Sequence, residues 1–453
     1  MLEKQMWMKF APDIVTEWRQ LMEEGRAVEA FREQCERIGK LPETEDHEAE
    51  ARELCRQMRK APMRADYPYT EPSDYEGIRK YATGNGVSDW RKLYGLERLQ
   101  GKISGAWTGR ISGCLLGKPM ECLRTESINE VLKSTGNYPM ERYVDSREFP
   151  EGLAEKLDHD PHAQWRKCWI DRINGKAPVD DDTNYTVLAM KLVDEYGPDF
   201  RPDDVLEAWL YWMPMFSACT AERVAYRNAA MGMRAPETAV HENPYREWIG
   251  AQIRGDFFGY INPGNPGRAA EMAWRDASIS HVKNGIYGEM FVAAMIAEAA
   301  VTEDVEQVIE TGLKEIPANS RLTEKVCQVL EWYREDLSEE EVFGRIHEIY
   351  DEYDQHQWCH TISNAMIVTA ALLYGGKDFG KTICLAVQTG FDTDCNAATA
   401  GSVLGMLLGE TGIPEYWSKP YNRVLQTSIG GYGEVTIDQL AAKTMRLLAG
   451  DSD

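Results

Sequence analysis

Two acidic segments, each opening a predicted helix, carry the residue types most able to do chemistry. The first is Asp180-Asp181-Asp182-Thr183 and the second is Gly390-Phe391-Asp392-Thr393-Asp394-Cys395-Asn396. If the fold brings them together, five aspartates meet at one place. Such a cluster repels itself and raises its own pKa values unless cations neutralise it. Carboxylate and hydroxyl oxygens suit Mg²⁺ or Mn²⁺ rather than zinc. The first segment also has an ordinary reading, because acids at a helix N-terminus cap free N–H groups and complement the helix dipole. The second is harder to explain that way. Asn396 to Gly409 is small and apolar, Ile383–Val387 upstream is equally apolar, and the nearest cation in sequence is Lys381, a turn or more before the acids. Two carboxylates between buried helices need partners.

The elements that position these residues read as helices. Thr183–Tyr196 carries Val187, Leu188, Leu192 and Val193 on one face and stops at Gly197-Pro198. Gly105, Gly109, Gly113 and Gly117 form a stripe at four-residue spacing. Each glycine costs a helix about 1 kcal/mol relative to alanine, so the stripe predicts close packing of two helix backbones. Pro119 ends that helix and leaves Glu121 just beyond it. Helix is also predicted over Arg268–Ser278, after the turn Asn262–Pro266, and over Leu440–Leu448, after the capping pattern Thr436-x-x-Gln439. No sustained period-2 alternation occurs, so essentially no sheet is expected.

Composition narrows the function classes. A net charge of −24 over 453 residues and a pI near 4.9 argue against nucleic-acid binding through a basic surface. The ten cysteines include no C-x-x-C, which argues against a zinc ribbon and reads as a reducing, cytoplasmic compartment. The longest apolar stretches, around Phe291–Ala300 and Ala365–Tyr374, are too short to span a bilayer. Residues 1–95 read as a helical extension and linker: amphipathic helices over the first 60 residues, then a Pro- and Tyr-rich loop from Pro62 to Asn85. The extension is expected to pack on the core or mediate self-association.

Taken together, these motifs resemble the ADP-ribosylglycohydrolase family over residues 96–453. The glycine-striped helix ending in Pro-x-Glu matches Gly105–Glu121. The family's Thr-Asp-Asp-Thr resembles Asp180–Thr183, and its Gly-Gly-Asp-Thr-Asp-Thr-Asn-Ala resembles Gly390–Ala397. A central segment resembles Gly264–Ala273 with Asp276-Ala277 and Ser280-His281. The resemblance implies a compact all-α domain with two Mg²⁺ or Mn²⁺ ions in a cleft. It implies hydrolysis of an N- or O-glycosidic bond at an anomeric ribose carbon, with a small molecule or an ADP-ribosylated substrate as partner.

Carried over by position, Asp181, Asp182, Asp392 and Asp394 would be metal ligands. Asp180 and Cys395 stand where the family has ligating threonines and complete the expected ligand set. Glu121, Asp182 and Asp392 would carry the chemistry, with His281, Arg254, Phe391 and Asn262 facing substrate. Cys395 puts a soft atom in a hard site, Phe391 replaces a glycine and narrows the pocket, and Cys114 replaces an aspartate. The phosphate-binding motif survives only as Gly250-Ala-Gln-Ile-Arg254, which leaves open a hydrolase of a smaller glycoside or nucleoside. An inactive binding relative is the third alternative. His281 has a plain reading as a polar residue at a helix end, and His360 as a helix residue. The segments His159–Trp169 and Gly255–Asn262 read either as surface loops or as lids.

Overall fold

The computed structural model describes residues 6–84, 86–158 and 168–450. Among the described residues the fold is all-α apart from one small hairpin and three isolated bridges. Val424–Gln426 and Glu434–Thr436 pair antiparallel, with the buried Leu425 opposite Val435. Strands of three residues are too short to show an alternation, so the sequence did not announce them. Thr436 then forms the expected capping box with Gln439 and opens the helix Ile437–Ala449.

One apolar core runs from Ile78 to Ala441, and a smaller one gathers Phe10 to Met58. The small core is built by helices Ile14–Glu23, Arg32–Ile38 and Glu45–Arg59. The segment read as a loop, Pro62–Asn85, contains a further two-turn helix, Tyr75–Tyr81, capped by the Asp74 carboxylate on Gly77 N. Ile78 anchors it in the main core, and Tyr75 packs against the Trp274 ring at 5.3 Å. Tertiary docking, rather than local periodicity, makes it helical. Buried ion pairs join the two cores, Arg246 holding Glu17 at 2.5 Å and Glu24 at 2.8 Å, and Arg321 holds Glu71 of the connecting segment at 2.9 Å.

The contact that sets up the site is between the glycine-striped helix, Leu96–Gly117, and the helix after the second acidic segment, Thr393–Leu408. A Cβ on Gly105 would lie 2.4 Å from Gly405 O, on Gly109 2.0 Å from Gly401 O, on Gly113 2.0 Å from Ala397 O, and on Gly117 2.3 Å from Thr393 O. Partner numbers fall by four as the glycine numbers rise by four, so the helices run antiparallel with their backbones touching. This register carries the end of the striped helix, and Glu121 beyond it, to the N-terminus of the helix bearing Asp394. At the opposite end, Lys102 Nζ donates to Met406 O at 3.1 Å, Leu407 O at 2.8 Å and Ala299 O at 3.3 Å. One buried ammonium thus caps two helix C-termini.

Candidate metal centre

The helix Asp181–Tyr196 starts beside the same spot, so two helix N-termini and one helix C-terminus converge there. Asp180 is the N-cap of Asp181–Tyr196 and accepts from Asp182 N at 2.9 Å. Asp392 is the N-cap of Thr393–Leu408 but makes no side-chain cap bond, so its carboxylate is left for other partners. The preceding turn holds Gly390 at φ +77° and Phe391 at φ +57°. A left-handed phenylalanine costs about 1–2 kcal/mol, and packing holds it there: the buried Phe391 ring lies 5.1 Å from that of His347.

The two acidic segments do meet. Cys114, Asp180 and Asp182 place their ligand atoms within 4.8 Å of one another, and so do Asp182, Asp394 and Cys395. Asp182 is common to both groups. Asp392 and Glu121 stand next to them, each raised first by burial and then by the charge of Asp394. Asp181 is half-buried and outside both tight groups. Burial, and then Asp180, push its carboxyl up to about 8. Asp394 is pushed up to about 6 by burial and Asp180, and Asp182 well above its ordinary range by burial against the pull of Arg110. Asp180 alone goes down: burial acts to raise it, but the Lys118 ammonium outweighs that.

Two cations not expected from the sequence therefore sit in the cluster. Arg110 Nη2 donates to Asp182 Oδ1 at 2.7 Å, and Lys118 Nζ pairs with Asp180. Arg110 lies in the striped helix and Lys118 is its C-cap. Arg110, Cys114 and Lys118 form their own four-residue stripe, one position on from the glycines, and that spacing was the available signal. The two cations do not satisfy every acid. Asp182 Oδ2 and Asp394 Oδ1 are buried without a hydrogen-bond partner. Orphaned carboxylate oxygens in a buried acidic pocket are what a hard divalent cation would complete. Cys114 and Cys395 thiols are both pushed well up, first by burial and then by the neighbouring aspartates, which keeps them protonated.

Of the residues expected to face substrate, Phe391 lies in the turn beside the centre but is buried against His347, and the others fall elsewhere. Arg254 does not present itself to a phosphate. Its guanidinium is 1% exposed and engages Glu222 at 2.7 Å, Ser280 Oγ at 2.9 Å and the Asp276 carboxylate. Three acids surround it, since Glu289 also lies at 3.5 Å. His281 is buried beside it, with Nδ1 at 2.8 Å from Ser280 Oγ; burial and the Arg254 charge hold the imidazole well below its ordinary range, hence neutral. Asn262 Nδ2 donates to Phe258 O at 2.8 Å. Gly255–Asn262 is no lid: Asp256–Tyr260 is a helix whose Phe257, Phe258 and Tyr260 are fully buried. His360 caps the helix Thr361–Tyr374. The lid reading of His159–Trp165 lies outside the described residues. Trp169 is buried edge-on against Phe149 at 5.0 Å.

Fold and site together define an all-helical protein with a buried carboxylate centre at converging helix termini. The family model described as ADP-ribosylglycohydrolase matches residues 96–451. The chain belongs to the ADP-ribosylglycohydrolase family. A search of curated proteins gives no match. A solved structure described as an ADP-ribosylglycohydrolase-related protein complex aligns over 78% of this chain and 99% of its own, at 19% identity and a TM-score of 0.46. Among the described residues, no helix is long and apolar enough to cross a membrane.

Proposed function

We propose that the protein is a metal-dependent hydrolase that cleaves an N- or O-glycosidic bond at an anomeric ribose carbon, with an ADP-ribosyl group as the substrate class. The observation that carries this reading is the charge balance of the centre. Asp180, Asp181, Asp182, Asp392, Asp394 and Glu121, with Asp256 sharing Arg110 at 3.4 Å, face two cations among the described residues, Arg110 and Lys118. Fully ionised, these acids would carry five negative charges more than the two cations, an excess that divalent ions would offset. Asp180, Asp181, Asp182, Asp392 and Asp394 would hold them, with Cys395 at the edge of the set. Bound Mg²⁺ or Mn²⁺ would supply Lewis-acid polarisation of a sugar hydroxyl and of water. Glu121, half-buried at the rim, would move the proton, taking it from water or giving it to the leaving group. Asp392, free of capping duty, and Asp182, oriented by Arg110, would align the sugar.

Two observations bear on the size of the substrate. Arg254 is enclosed, which favours a smaller glycoside or nucleoside. Against that, Arg223 is 6% exposed, bracketed by the Phe216 and Trp7 rings at 4.6 and 5.6 Å, and has no carboxylate partner among the described residues. Cys219, one turn before it, feels the charges of Asp181, Glu121 and Arg223. A cation without a carboxylate partner beside Cys219 would suit a diphosphate. Calorimetric titration of ADP-ribose into Mn²⁺-loaded protein is expected to show micromolar binding that is lost in Asp394→Ala. Metal-loaded protein that ignores ADP-ribose but hydrolyses a nucleoside would establish the smaller substrate instead.

The sulfur at position 395 predicts an altered ion preference. A thioether or thiol is a poor donor for Mg²⁺ and a tolerable one for Mn²⁺. Cys395→Thr, which supplies a hydroxyl oxygen, is expected to tighten Mg²⁺ binding about tenfold relative to Mn²⁺. Equal tightening of both ions, or none, would remove residue 395 from the ligand set.

A further inference from the structure

Glu23 ends the helix Ile14–Glu23, outside the stretch that the family model matches. Its carboxylate lies between two histidines of the main body, 3.0 Å from His356 Nε2 and 3.2 Å from His360 Nε2. Three such groups suggest a cation site, but the other ring nitrogens argue otherwise. Trp248 Nε1 points its hydrogen at His356 Nδ1 from 3.1 Å, and the backbone N–H of Ile362 points at His360 Nδ1 from 3.1 Å. Indole and amide nitrogens only donate, so both Nδ1 atoms are acceptors and both hydrogens sit on Nε2. His356 Nε2 therefore donates to Glu23 Oε1, and His360 Nε2 lies against Glu23 Oε2 at 3.2 Å, in contact with the same carboxylate but outside hydrogen-bond geometry.

What this clamp holds leads to the acidic centre. His360 caps the helix Thr361–Tyr374. The carbonyls of Trp358 and His360 accept from Asn364 Nδ2 at 3.0 and 2.9 Å. Asn364 Oδ1 in turn accepts from Asp392 N at 3.2 Å and Asn396 Nδ2 at 2.8 Å. Cys359 Sγ lies 3.9 Å from Asp392 Oδ2. The turn so held is the one with two consecutive left-handed residues, Gly390 and Phe391, a conformation that persists only when its surroundings fix it. Its other side is braced by Thr125 Oγ1 on Thr389 O at 2.9 Å.

We propose that Glu23 is a positioning residue for the Asp392–Asp394 turn, so that the N-terminal helical unit is a working part of the centre. It acts through His360 and Asn364 and touches no substrate or ligand oxygen. Its metal readout rests on the hydrolase reading above; its exchange readout does not.

The test is amide hydrogen exchange on metal-free full-length protein, with Mn²⁺ titration alongside. Glu23→Ala is expected to speed exchange at least about tenfold over residues 358–364 and 390–396, and to weaken Mn²⁺ about tenfold, within the usual range for groups that orient ligands. Glu23→Gln keeps one acceptor and gives an intermediate effect, and it decides the matter if the alanine variant does not fold. Arg52→Ala is the control, since its 2.6 Å pair with Glu242 ties the same unit to the body elsewhere. Exchange over 390–396 that is unchanged in both Glu23 variants, or equally fast in Arg52→Ala, would overturn the proposal. Altered exchange in protein whose wild type binds no Mn²⁺ would uphold it and sink the metal reading alone.

Discussion

Asp394→Asn is expected to raise the thermal stability of the metal-free protein at pH 7 and to abolish its stabilisation by Mn²⁺. The two effects have opposite signs and one cause. The Asp394 carboxyl is pushed up to about 6 by burial and by Asp180, whereas an unfolded aspartate titrates near 3.9. The folded state therefore binds that proton more tightly. The stability it confers is full below about pH 4 and is lost as pH rises through about 6. At pH 7 the ionised, unmetallated group costs on the order of 2–3 kcal/mol, and asparagine has no such charge. Bound metal offsets that penalty in the wild type, and its whole stabilising effect is about 2.7 kcal/mol at a hundredfold excess over Kd. Thermal melts with chelator and with Mn²⁺, at pH 5 and pH 7, check this. Without metal, the wild type should gain stability from pH 7 to pH 5 and the variant should gain less. A variant that is less stable than wild type in chelator at pH 7, or that still responds to Mn²⁺, would refute it.

The sequence carried the parts of this centre whose signal is local. Both acidic segments, the helix after each, and the glycine stripe were legible from spacing alone, and the stripe's demand for a touching helix was met. What spacing does not give is the partner. The fit of Gly105, Gly109, Gly113 and Gly117 against Gly405, Gly401, Ala397 and Thr393 exists only in three dimensions. Counter-ions were missed for a related reason. Arg110 and Lys118 lie far in sequence from the acids they neutralise, although they share the striped helix and its C-cap with the glycines that deliver them. Arg254 shows the converse case. The faint Gly250–Arg254 match implies an arginine facing substrate, but Glu222, Asp276 and Glu289, on other segments, enclose it. Glu23 offered no signal, because its meaning depends on two histidines more than three hundred residues away.

The glycine stripe yields a sign test within one helix. Gly109→Ala is expected to destabilise the protein by about 2–4 kcal/mol, in the manner of overpacked cores, while Gly101→Ala stabilises it by up to about 1 kcal/mol. Both are helical, and both lie on the same four-residue spacing. A Cβ at Gly109 would meet a backbone oxygen, Gly401 O, at 2.0 Å, and no rotamer change relieves a backbone contact; at Gly101 nothing lies within 4 Å. Helix propensity alone predicts the same gain at both sites, so the difference isolates the backbone contact. The contact also sets function. Forcing the two helices apart at Gly109 moves the segment carrying Lys118 and Glu121 away from Asp180 and Asp394, so Gly109→Ala should bind Mn²⁺ at least about tenfold more weakly, whereas Gly101→Ala should bind it as the wild type does. Urea melts give the first pair of numbers and calorimetry the second. If Gly109→Ala proves as stable as Gly101→Ala, the backbones are not in contact, and the register that brings Glu121 to the acidic centre is wrong.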